Sequence, residues 1–139
     1  MFAELDFMEN KLFNKIGINA SLDLWKAPES GLHDFTGNGN SIEIKSTNQI
    51  PSQQIRITSE NQLNDQRVNS LYLCVIEINR DVMGGMTLSE KIFHIKELIR
   101  KKDPDLIINF DALLKKYGFF NFESKKYSTT FKVNMCYFY

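Results

Sequence analysis

The run Leu71-Tyr72-Leu73-Cys74-Val75-Ile76-Glu77-Ile78 constrains this chain most. It has strand length and is nearly continuous in apolar side chains. A strand with one wet face would instead alternate apolar and polar residues. The run suits a central strand buried on both faces, so the remaining segments must supply the layers that cover it.

Upstream, Phe2, Leu5, Met8, Leu12, Phe13 and Ile16 recur at spacings of three and four. This predicts an amphipathic helix over 2–16 that Gly17 stops. Leu22, Leu24 and Trp25 predict a short strand over 21–26, Pro28 to Gly31 a turn, and Leu32 to Phe35 a second short strand ending near Asp34. Thr36-Gly37-Asn38-Gly39-Asn40 is a turn signal that predicts a hairpin with a longer loop, joining Asp34-Phe35 to Ser41–Lys45. Its Gly-x-Gly lacks the following helix and third glycine of a dinucleotide fingerprint.

Downstream, Ile55-Arg56-Ile57 predicts another strand, and Ser59 with Gln62 predicts a capped short helix. Thr87 and Glu90 form a capping box for a helix to about Lys102, with Leu88, Ile92, Ile95, Leu98 and Ile99 on its apolar face and Pro104 beyond it. A second helix is expected from about Asp105 to Lys116, stopping near Gly118, and a closing strand or hairpin in 127–139. Lys101-Lys102 and Lys115-Lys116 end these helices, where cations suit the helix dipole. The order of elements makes an α+β or α/β sandwich with a mixed sheet.

A length of 139 residues predicts one domain over 1–139. Such a chain can bury roughly two thirds of its unfolded surface. Apolar residues make up 42%, with 11 Phe and 5 Tyr, which predicts a folded protein. Lys+Arg and Asp+Glu both total 17, so the overall charge gives no electrostatic footprint for nucleic acid. Two cysteines and two histidines show no zinc-ligand spacing. Cys74 and Cys136 each lie among apolar and aromatic residues, as buried free thiols do. No apolar run approaches the roughly 18 residues a bilayer span needs, and the N-terminus lacks a signal-peptide layout. The expectation is a soluble cytoplasmic protein without a membrane partner.

The chemistry is concentrated in Gly31-Leu32-His33-Asp34-Phe35 and Ser41-Ile42-Glu43-Ile44-Lys45-Ser46-Thr47. Side chains alternate along a strand, so Ile42 and Ile44 anchor one face while Glu43 and Lys45 project from the other. The hairpin would bring Asp34 beside them. Asp34 and Glu43 could then hold a hard divalent cation such as Mg²⁺, with the backbone carbonyl of Ile44 as a third ligand. Lys45 would hold an attacking water and help stabilise a pentavalent phosphate. A Glu-x-Lys pair by itself is ordinarily the solvated face of a strand; the acid across a turn is what points to phosphodiester hydrolysis.

Asp34…Glu43-Ile44-Lys45 resembles the core motif of the PD-(D/E)XK nuclease superfamily, with His33 in place of the usual proline. More narrowly, Leu24-Trp25, Gly31 to Phe35, Ile42 to Thr47, Ile55 to Thr58, Gln62-Leu63, Leu71-Tyr72-Leu73 and Thr87-Leu88 are similar in order to the bacterial PD-(D/E)XK motif proteins. The resemblance implies a restriction-endonuclease-like fold, a central mixed β-sheet flanked by helices. It implies DNA cleavage with Mg²⁺ or Mn²⁺, a bacterial defence or restriction setting, and action as a homodimer or as a partner subunit of a defence complex. Typical members of that group are longer, so the chain reads as a truncated or minimal one. Glu4 matches an auxiliary acid of the first helix, though its position also suits a helix-start carboxylate. Gln62 matches a glutamine after the third strand, though it also fits as a capping partner. His33 and Thr47, flanking the motif, fall on the substrate side, and His33 could equally be a strand-end histidine. The other function class to weigh is a catalytically inactive nuclease-fold module that serves as a binding or scaffold subunit.

Overall fold

A computed structural model describes residues 1–26, 33–48, 69–120 and 128–138. The predicted strand at Ile55–Ile57, the capped helix at Ser59–Leu63 with Gln62, the turn at Pro28–Gly31 and Leu32 lie outside these residues.

The chain opens with helical structure from residue 2 to residue 16: α1 (Phe2–Phe7), a π-helical turn (Met8–Leu12) and α2 (Phe13–Ile16). The expected stripe is buried at Phe2, Leu5, Met8 and Leu12, but Phe13 is only half-buried and Ile16 is exposed. The π turn takes up an extra residue and rotates α2 relative to α1, so the last members of the stripe leave the core face. Gly17 ends the helix at φ 85°, a conformation that L side chains resist.

The next element corrects the sequence expectation. Residues 18–24 form α3 (Ile18–Leu24), not a strand. Ile18 and Leu22 are four apart, and the Ser21 hydroxyl bonds back to the Gly17 carbonyl at 2.5 Å, both helical relations. Only Trp25 keeps strand character, in an isolated bridge to Phe35.

β1 is Phe35–Gly37 and β2 is Asn40–Thr47, paired antiparallel with Phe35 opposite Ile42. Asp34 therefore precedes β1 rather than ending a strand. The hairpin is also tighter than expected. Asn38 and Gly39 alone make the turn, at φ 53° and 77°, the signature of a type I′ connection that matches strand twist.

β2 runs parallel to β3 (Ser70–Arg80), with Ile44 opposite Cys74, and β3 pairs antiparallel with β5 (Thr130–Phe138). β4 (Met86–Thr87), a short strand with no signal in the sequence, pairs with β5. The mixed five-stranded sheet has the order β1-β2-β3-β5-β4. β3 is central, as its apolar run required, and its consecutive residues Cys74 to Ile78 are all buried. The first half of the run differs: Tyr72 is exposed and Leu71 and Leu73 are half-buried.

α4 (Leu88–Lys102) carries the expected capping box, with both Thr87–Glu90 hydrogen bonds formed. It buries Ile92, Ile95 and Ile99. α5 (Leu106–Lys116) follows Pro104, and Gly118 stands beyond it at φ 78°. The core joins Phe2, Leu5 and Met8 of the first helical segment, Ile95 and Ile99 of α4, Phe110 of α5, and Ile44 and Ile76 of the sheet. This is an α+β, nuclease-like architecture. Among the described residues, no helix is long and apolar enough to cross a membrane.

Candidate active site

The site is built where β1 begins and β2 runs past it. Pairing between the two strands starts at Phe35 opposite Ile42, so β2 extends beyond its partner. The Asp34 side chain fills the vacated position. Its Oδ2 accepts the backbone N–H of Ile44 at 2.7 Å. The N–H and C=O of one strand residue point to the same side, so the Ile44 carbonyl also turns toward Asp34.

Glu43 lies on the sheet face opposite the two isoleucines and is 5% exposed. Lys45 Nζ reaches its Oε1 at 2.9 Å. A buried carboxylate needs such a partner, because desolvation otherwise disfavours its charge. The Lys45 side chain stays 21% exposed, so its ammonium is reachable from outside. His33 is buried, with Nδ1 3.8 Å from Glu43 Oε2 and, among the described residues, no hydrogen-bond partner for that nitrogen. Thr47 continues the Glu43–Lys45 face two residues on, and its register partner is Glu77.

Glu4 reaches the same region from the first turn of α1. Its Oε2 accepts Trp25 Nε1 at 3.0 Å and the Tyr117 hydroxyl at 2.6 Å, and its Oε1 pairs with the Met1 ammonium at 2.9 Å. Trp25 and Tyr117 stack with ring centroids 4.8 Å apart, which braces both donors. Burial pushes the Glu4 carboxyl up, but the ammonium charge and the two side-chain donors outweigh it and hold it below its ordinary range.

Asp34 goes the other way. Burial first, then the charge on Glu4 and, more weakly, that on Glu43 push its carboxyl up to about 7, against the opposing Ile44 amide. Three acids from α1, the approach to β1, and β2 thus feel one another, with Lys45 as the side-chain cation at the motif. Of the residues the sequence pointed to, Asp34 feels the charges of Glu4 and Glu43, and Glu43 pairs with Lys45. Gln62 lies outside the described residues. Trp25 and Tyr117 hold Glu4; in the sequence Trp25 stood out only as a strand residue and in the Leu24-Trp25 resemblance, and Tyr117 was not singled out.

The donor set suits one kind of metal. Among the described residues, no three or more of His, Cys, Asp and Glu converge into a cage. A structural zinc or an all-protein calcium site is not built among them. Mg²⁺ asks for less: one or two carboxylates, with water and phosphate oxygens completing the shell. Asp34 accepts one N–H and keeps further lone pairs, and the Ile44 carbonyl faces the same side. A divalent cation would also offset the Glu4 and Glu43 charges that add to burial in raising Asp34. The residues present fit Mg²⁺.

An α+β sheet with one acid fastened to a Glu-x-Lys strand defines a nuclease-like protein. The chain belongs to the family described as "Putative PD-(D/E)XK family member, (DUF4420)", whose model matches residues 1–139. No curated protein and no solved structure matches the chain.

Proposed function

We propose that this protein is a Mg²⁺- or Mn²⁺-dependent nuclease that hydrolyses phosphodiester bonds in DNA. The observation that carries this reading is the hydrogen bond from the Ile44 amide to Asp34, which ties the separate acid to the middle of the Glu43-Ile44-Lys45 triplet. Family membership supports it, since nucleases of this kind generally use divalent ions.

Asp34, Glu43 and the Ile44 carbonyl would hold the cation. When bound, it supplies Lewis acidity, lowering the pKa of a coordinated water and neutralising charge on the phosphate. Lys45 would orient the attacking water and donate to the oxygen that gains charge, the role that demands a cation at the mouth of the site. Glu43 fixes the Lys45 ammonium through their 2.9 Å contact. Glu4, held by Trp25 and Tyr117, would position Asp34 and the solvent around it through its charge.

Purified protein incubated with plasmid and Mg²⁺ or Mn²⁺, beside Lys45→Ala, tests the reading. Cleavage by the wild type, reduced by about 10²-fold or more in the variant, supports it. A wild type that neither cuts plasmid or single-stranded DNA nor takes up metal by calorimetry overturns it in favour of a non-catalytic nuclease-fold module.

A further inference from the structure

Away from the acids, the two cysteines meet. Cys74 on β3 faces Phe138 in the β3–β5 register, and Cys136 on β5 faces Ile76, so the thiols are diagonal neighbours on one face of an antiparallel pair. Their sulfurs are 2.8 Å apart and both are free thiols. That gap exceeds a disulfide bond of about 2.05 Å by less than 1 Å. The strands that carry them are already hydrogen-bonded to each other, so the sheet itself holds the two sulfurs in contact.

Access differs sharply between the two. Cys74 is fully buried, and burial together with the neighbouring Cys136 thiol pushes its own thiol far up. Cys136 is half-buried and lines a groove of about 380 Å³. Lys11, Lys91 and Lys132 line the same groove with Asp6, and Lys91 is itself paired with Asp6 at 2.8 Å and with Glu9 at 2.5 Å, which leaves Lys11 and Lys132 as the groove's further cations. Lysines on these walls attract an anionic reagent. Asn10 and Asn134 add amide groups to the same walls.

We infer that Cys74 and Cys136 form an oxidisable dithiol, with Cys136 as the entry thiol and Cys74 as the resolving thiol. The oxidant class is a small, carboxylate-bearing disulfide such as oxidised glutathione. The Cys136 thiolate attacks one sulfur of that disulfide, forming a mixed disulfide and releasing one thiol, which takes up the proton Cys136 lost. Cys74 then gives its proton to the departing thiolate by way of solvent and attacks the Cys136 sulfur, expelling the second thiol. The protein loses two protons and two electrons, and one small disulfide becomes two small thiols. The Cys74 thiol is intrinsically sluggish, but its position beside the target sulfur makes the second step intramolecular.

The reduced full chain, titrated anaerobically with oxidised glutathione, tests this. The expected product is a monomer lighter by two hydrogens, with a Cys74–Cys136 cross-linked peptide on digestion, a melting temperature raised by several degrees, and full reversal by dithiothreitol. Cys74→Ser is expected to stop at one stable glutathionyl adduct on Cys136, and Cys136→Ser to leave Cys74 unmodified in the folded state. A wild type that stops at the mixed disulfide, that forms disulfide-linked dimers, or whose thiols react only in denaturant overturns the proposal. The wild-type mass and peptide map decide the matter even if either variant folds poorly.

Discussion

The Asp34 carboxylate accepts the Ile44 amide at 2.7 Å, doing with a side chain what the carbonyl of His33 would do in a longer β1. Asp34 is thereby part of the sheet's hydrogen bonding and part of an acidic cluster at once. Its energetics reflect that double membership.

Asp34 titrates near 7 in the folded protein and near 3.9 unfolded. A raised carboxyl stabilises the fold fully below about pH 4, and that contribution is lost as pH rises through about 7. Metal-free stability is expected to fall over this window by about 2 kcal/mol, below the full value of the shift because the group is partly solvated. Urea melts in chelator at stepped pH measure this, and Asp34→Asn should flatten the slope. Glu4 has the opposite sign, so its contribution is lost only on further acidification, through its lowered folded value.

Added Mg²⁺ should reverse the alkaline loss. A ligand that binds only the folded state at ten times its Kd adds about 1.4 kcal/mol. At pH 8 the wild type should melt higher with Mg²⁺, while Asp34→Asn should not respond. Equal shifts in both proteins would place the ion elsewhere.

Tyr117→Phe removes the 2.6 Å donor to Glu4 and leaves a buried carboxylate with one side-chain donor fewer. The expected cost is about 1–3 kcal/mol. Chemical denaturation at pH 7 measures it, and the penalty should shrink on acidification through the lowered range in which Glu4 takes up its proton.

Glu43 and Lys45 should be strongly coupled. Lys45→Met leaves the Glu43 carboxylate buried without its cation and should cost about 2 kcal/mol. Combining it with Glu43→Gln should recover at least about 1 kcal/mol of the summed single losses. Additive unfolding energies would show that the 2.9 Å contact contributes nothing.

Thr87→Ala tests the scaffold alone. The Thr87 hydroxyl accepts the Glu90 N–H, and losing that bond is expected to lower stability by about 1 kcal/mol, while the backbone N–H of residue 87 can still donate to Glu90. DNA cleavage should be unaffected when assayed well below the melting temperature.

Most of the scaffold was legible in the sequence. The Thr87–Glu90 box, the spacing of Ile92, Ile95 and Ile99, and the apolar stretch of β3 are local signals, and the corresponding elements appear. Where the sequence misled, non-local or subtle terms decided. Residues 18–24 and Trp25 present two leucines and a tryptophan that suit either state, and the Gly17 break with the Ser21 back-bond selects the helix. The π turn left no trace in composition, so the exposure of Ile16 was unreadable. At the site, alternation alone placed Glu43 and Lys45 on one face, and the hairpin placed Asp34 near them. The arrival of Glu4 depends on how α1 crosses the sheet. Its partners Trp25 and Tyr117, and the meeting of Cys74 with Cys136, are separated by tens of residues and invisible to any local pattern.

The two-residue bend at Asn38-Gly39 sets a rule for how this hairpin can change over evolution. Its arms are counted outward from the tip, so a single inserted residue would slide one arm past the other and carry Asp34 off the Ile44 amide. Length can vary without that penalty only by matched additions, one on each arm. In relatives that preserve this geometry, the separation between the lone acid and the Glu-x-Lys triplet should therefore differ from the present one by even numbers.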